Sequence, residues 1–178
     1  KDNIIRAIQK SEQIQSTNYE QIRYEGFGPH RIACIVETLT DNKNRTASNI
    51  RTIFHKNGGS LGTQGSVSHS FSQIGVIKID TNEISENSIY EFVLDIGVDE
   101  FFVKNGYYEI HCKKNDIYKI KKKLEFKVKN FISTEIEWVT SNLISLESEF
   151  EKNVLDFLNI LEDDDDVQKV YANISIKG

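Results

Sequence analysis

The chain has no methionine, one tryptophan, one proline (Pro29) and two cysteines, Cys34 and Cys112. With a single proline and no serine- or glycine-rich tract, a long flexible linker is excluded, so two domains, if present, are joined by short connections. The thiols form no Cys-x-x-Cys pair and have no histidine at ligand spacing, and His30, His55, His69 and His111 are equally scattered. No metal centre is expected. Both cysteines read as small buried hydrophobes, since a disulfide would need an oxidising compartment that nothing else suggests. No apolar run approaches the ~20 residues that cross a bilayer, and no signal-peptide pattern opens the chain. A cytoplasmic protein without a membrane partner is expected. Because the chain starts at Lys1, residues upstream are expected to be missing, and a mitochondrial targeting peptide could be among them. Local signatures of a Ser-His-Asp or Cys-His set are also lacking. Tyr24, Glu25 and Asp41 offer a phenol and carboxylates without a nucleophile, so no catalytic residue, cofactor or small-molecule substrate is expected.

What is present is the balance of a globular protein, with 38% hydrophobic and 28% charged residues in 178, enough for one domain or two small ones. The net charge of −5 is unevenly spread. Residues 1–80 hold 10 Lys+Arg against 7 Asp+Glu (+3), residues 81–178 hold 12 against 20 (−8), and all five arginines precede residue 52. Arginine's planar fork matches phosphate, so Arg23, Arg31, Arg45 and Arg51 suit a nucleic-acid backbone better than the lysine-only second half, whose acidity suits a protein partner.

Strand, cap, helix, cation and glycine signals are densest from Tyr24 to Ser66. Ile32–Leu39 is a short β-branched run suited to a buried strand. Asp41 offers a helix cap, Ala47, Ile50 and Phe54 form an apolar stripe, and Arg45, Asn49, Thr52 and Lys56 fall on the polar face. Asn57-Gly58-Gly59 stops the helix. The glycine loop that follows lacks a Walker pattern, and its glycines come after a helix instead of before one, which argues against nucleotide hydrolysis. Two of its four glycines suffice for cap and turn; the others would permit close approach of a partner, with backbone amides, Thr63 and Ser66 positioning phosphates.

Further along, Asp2–Ile14 has helical periodicity, Val67–Phe71 and Val76–Ile79 read as strands, and Ile84–Leu94 reads as a helix. Phe101–Val103 and Tyr107–Cys112 flank the hairpin signal Asn105-Gly106. Asp116 opens a helix with Ile117, Ile120, Leu124 and Val128 inward, and Phe131–Val139 is a strand. Phe150–Leu161 and Val167–Ile176 are a last helix and strand. Residues 81–147 thus form a self-contained unit, and the leftover helix and strand most simply complete the sheet begun by residues 24–80. Two consecutive domains would account for the same order.

The strings YEGFGP, LTDNKNRT and KNGGSLGTQGSV resemble the YebC-like family of regulators, known as bacterial transcription factors and, in mitochondrial relatives, as translational activators. KDNIIRAI is similar to the end of that family's first, helical domain, and LEDDDDVQKVYANI to its closing helix and strand. The family carries two glycines where this chain has His30 and Arg31. The resemblance implies an α+β fold of two small α/β-layer domains, the second inserted into the first, behind the remnant of an N-terminal helical domain: 1–23 remnant and linker, 24–80 with 148–178, and 81–147 inserted. It also implies a DNA-binding transcriptional regulator. The alternatives are a ribosome-associated factor that binds RNA, and an acidic protein-interaction module without nucleic-acid contact. No helix-turn-helix, zinc finger or RNA-recognition aromatic motif is evident.

For the site, Arg45, Arg51 and Lys56 are expected to carry phosphate contacts, supported by Lys43, Arg23 and Arg31 beside Gly58, Gly59 and Thr63. Eight lysines between Lys113 and Lys129 against Asp116 and Glu125 give a local charge of +6. This reads first as a soluble helix face and second as a secondary phosphate contact, without aromatic interleaving for base stacking. Glu162–Asp166 lacks the alternate ligand spacing of a calcium loop and reads as a solvated turn.

Overall fold

A computed structural model describes Arg6 and residues 18–175. The expected helix over residues 2–14 lies, Arg6 apart, outside the described residues. Two units are present: one runs to Phe71 and resumes at Thr140, and the other is Ser72–Val139.

In the outer unit, β1 (Glu20–Phe27) and β2 (Ala33–Thr40) pair antiparallel from Glu20↔Thr40 to Phe27↔Ala33. Residues 20–23 are therefore strand and not linker. The turn between the strands places His30 at φ 57° and Arg31 at φ 61°. This left-handed conformation costs a residue with a Cβ roughly 1–2 kcal/mol, which is why glycine suits both positions. His30 recovers part of that cost by packing its ring on Phe150, centroids 4.0 Å apart. Helix α1 (Lys43–Lys56) follows, then the two-residue strand β3 (Ser60–Leu61).

The expected strand at Val67–Phe71 is instead a 3-10 turn at Ser68–Ser70, because the Glu25 carboxylate takes the Val67 and Ser68 N–H groups that a ladder would need. The chain leaves for the inserted unit, described below, and returns with α4 (Ser148–Asp163) and β8 (Val167–Ala172). β8 pairs antiparallel with β2, giving sheet order β3-β1-β2-β8. Strand alternation sends Ile32, Cys34 and Val36 to the helix-covered face, where they meet Ile50 and Phe54 of α1 and Val154, Phe157 and Leu161 of α4. Phe54 and Phe157 meet edge to face at 5.1 Å. Each such side chain is worth about 1.5–3 kcal/mol of apolar burial. Burial also pushes the Cys34 thiol up to about 12, so it stays a neutral hydrophobe.

The inserted unit contains β4 (Ser72–Asp80), α2 (Glu86–Asp95), β5 (Glu100–Val103), β6 (Tyr107–Lys113), α3 (Ile117–Leu124) and β7 (Ser133–Val139). Its antiparallel sheet has order β5-β6-β4-β7. β4 is flanked by β6 on one side and β7 on the other, so residues 72–80 belong here and not, as expected, to the outer unit. Conversely, residues 140–147 belong outside, where Ile144 bridges Ile174 and donates its N–H to the Asn173 carbonyl at 2.7 Å. The core gathers Ile77 and Ile79 of β4, Ile89 and Val93 of α2, and Ile117, Ile120 and Leu124 of α3. Among the described residues, no helix is long and apolar enough to cross a membrane.

Candidate nucleic-acid interface

α1 begins one residue later than its acidic neighbour suggests. The cap is Asn42, whose side chain accepts the Arg45 N–H at 3.1 Å, while Thr40 Oγ1 accepts the Asn42 N–H at 3.0 Å. That frees Asp41 for the Arg45 guanidinium, at 2.9 Å. The same guanidinium grips Asp166, with Nη2 2.9 Å from Oδ1 and Nε 3.2 Å from Oδ2. Asp166 is only 4% exposed and also accepts the Thr46 hydroxyl at 2.8 Å. Donating hydrogen bonds to Asp166, then to Asp41, raises the Arg45 pKa further. Asp166 is therefore a structural anchor and not part of a solvated turn, and Arg45 is committed to fastening α1 to the start of β8. Its Nε and Nη2 are taken by carboxylates, leaving less of the fork for a phosphate.

Arg23 is separated from the helical cations by the sheet. Tyr24 joins the helix-covered core, so alternation turns Arg23 and Glu25 to the opposite face. There the Arg23 Nε donates to Glu25 Oε2 at 3.1 Å. Glu25, 1% exposed, also accepts N–H groups from Gly65 at 2.9 Å, Ser68 at 2.7 Å and Val67 at 3.2 Å. Burial alone would raise its pKa, but the hydrogen bonds outweigh it and hold the carboxyl at about 2.

Glu25 thus pins the glycine loop, which explains glycines that were expected to admit a partner. A Cβ on Gly59 would stand 2.2 Å from the Phe27 carbonyl oxygen, and one on Gly62 would stand 2.6 Å from Ser66 Oγ. Both glycines admit the protein's own chain. Gly58 (φ 79°) makes the turn that ends α1, and Thr63 is exposed.

The remaining cations are open. Lys43, Arg51, Lys56 and Arg31 are exposed and form no ion pair among the described residues. Arg51, Thr52, His55 and Lys56 of α1 line a groove of about 550 Å³ against Ser60 and Leu61 of β3. Arg51 and His55 stand one turn apart, a spacing readable from the sequence once the helix is known, although His55 was expected to be one of four scattered histidines. The close approach of Gly59 to Phe27 and Gly28 puts the β1–β2 turn, with Arg31, at the same end of the unit as Lys56. Lys43 sits at the other end of α1, about 20 Å away at 1.5 Å per residue. The expected arginine cluster is therefore divided: Arg51 and Lys56 share a groove, Arg31 lies near its end, and Arg23, Arg45 and Lys43 lie elsewhere.

A family model described as the TACO1/YebC second and third domain matches residues 19–174. A probable transcriptional regulatory protein of Pelagibacter ubique is 58% identical over 178 residues, covering 100% of this chain and 74% of the relative. Another, from Zymomonas mobilis, is 42% identical over 176 residues, covering 99% of this chain and 71% of its own length. A crystal structure of a conserved hypothetical protein from Aquifex aeolicus matches with a TM-score of 0.83 at 33% identity, over 99% of this chain and 74% of that one. The family match over residues 19–174 and the identity to these relatives agree, and the chain belongs to the TACO1/YebC family.

Proposed function

We propose that the protein is a gene-expression regulator that docks a nucleic-acid backbone in the groove between the C-terminal half of α1 and β3. The observation that carries this reading is the pairing pattern: Arg45 and Arg23 are taken up by carboxylates, whereas Arg51 and Lys56 face an open groove with His55 between them. Exposed cations beside a polar edge strand can take successive phosphates, and the helix C-terminus favours positive charge there. Arg31 extends the footprint, Lys43 and the exposed Thr63 add outlying contacts, and Gly58 makes the turn that leads from α1 to the Ser60–Leu61 wall of the groove. Such contacts position a polyanion without reading its sequence. The transcriptional names carried by the bacterial relatives support promoter DNA as the first partner. Ribosomal RNA would use the same phosphate chemistry. The mechanism is docking without covalent chemistry.

The test is a salt titration of the full chain on duplex DNA and on RNA. Arg51→Gln and Lys56→Gln should each weaken binding and flatten the dependence of log affinity on log salt by about 0.9 on B-DNA or about 0.7 on single strands. Unchanged affinity and slope on both polymers would remove the phosphate role.

A further inference from the structure

The inserted unit concentrates its cations around one helix. Between residues 113 and 129, eight lysines face only Asp116 and Glu125. α3 buries Ile117, Ile120 and Leu124, and leaves Tyr118, Lys119 and Lys122 on the outside. The expectation that aromatics are missing from this face is corrected by exposure, since Tyr118 is 75% and Phe126 85% exposed. Tyr118, Lys122 and Phe126 recur at four-residue steps, so the first two stand one turn apart on one side, and Phe126 continues the row from the turn that closes the helix. Phe126, Lys119, Lys122 and Lys123, with the single acid Glu125, line a shallow groove of about 450 Å³.

Neighbouring rings are already covered. The Lys121 ammonium lies 5.3 Å from the Phe131 centroid, and that of Lys127 lies 5.9 Å from the Phe92 centroid. Among the described residues, no cation or second ring covers Tyr118 or Phe126.

We propose that this face is a platform for single-stranded RNA, with Tyr118 and Phe126 stacking on unpaired bases and Lys119 and Lys122 taking the phosphates between them. The local charge of +6 selects a polyanion. Open ring planes select base faces that a duplex hides and that RNA presents in loops and ends. The platform lies in a different unit from the α1–β3 groove and does not depend on it.

The test measures binding of the full 178-residue chain to an unstructured 12-nucleotide RNA, the matched DNA strand, a blunt duplex and anionic phosphatidylserine vesicles. Tyr118→Ala and Phe126→Ala should each weaken RNA binding by about 5- to 150-fold with an unchanged thermal melt, and Tyr118→Phe and Phe126→Tyr should restore it. Lys122→Gln should lower the salt slope by about 0.7. Single-stranded RNA should bind at least as tightly as the DNA strand and more tightly than the duplex. The proposal is overturned if the alanine variants bind RNA like the parent, if duplex or DNA strand binds more tightly, or if the rings matter for vesicles and not for RNA. Arg51→Gln, measured in parallel, separates the two sites.

Discussion

At the scale of single residues, the outer unit depends on buried carboxylates that the sequence presents as ordinary acids. Glu25 titrates at about 2 in the folded protein against an ordinary 4.5. Its folded value is depressed, so the stabilisation is complete above pH 4.5 and is lost as pH falls from there towards 2. By linkage the amount is on the order of 3 kcal/mol. Glu25→Gln should therefore lose most of that stability at pH 7 in chemical denaturation, and its stability should fall less steeply than the parent's between pH 4.5 and 3. Parallel pH profiles for the two proteins would show that the carboxylate is not what holds the loop.

At the scale of elements, α1 is attached at two ends in different ways. Its N-terminal half is tied by Arg45 and Thr46 to Asp166, and its C-terminal turn rests on Phe27 through Gly59. Asp166→Ala removes the buried acceptor shared by the Thr46 hydroxyl and the half-exposed Arg45 guanidinium, leaving Thr46 with Thr40 and Asn42 and Arg45 with Asp41, and should cost about 2–3 kcal/mol in urea denaturation, less than a fully buried pair because water reaches Arg45.

The helix itself was legible from Ile50 and Phe54 at four-residue spacing, and the hairpin from Asn105-Gly106, because periodicity and turn chemistry are local. Asp166 was not legible, since its partner lies 121 residues away and five acids in a row read alike. Arg23 could have been assigned: it stands next to Tyr24, and neighbours on a strand face opposite ways. The start of the inserted unit was misplaced because β4 looks the same in sequence whichever sheet it joins. Tyr118 and Phe126 were visible as letters, but their exposure became clear only once the core had taken Ile117, Ile120 and Leu124.

At the scale of the whole molecule, each unit has its own core. The two ends of the outer unit at the insertion point are also tied together, Thr140 Oγ1 donating to the Ser70 carbonyl at 2.8 Å. Replacing residues 72–139 with a short Gly/Ser bridge should therefore leave an outer unit that melts cooperatively, and the excised segment should fold alone. Circular dichroism melts of both pieces measure this. An excised segment without a cooperative transition would show that its sheet needs the flanking chain.

The pairing of β8 with β2 also sets an order of events during synthesis. All the strands and helices of the middle unit have been made by residue 139, whereas the surrounding sheet must wait for residues 167–172 before it can close. On the nascent chain, the enclosed part is then the first to become stable. β2 stays without its second neighbour until residues 167–172 emerge.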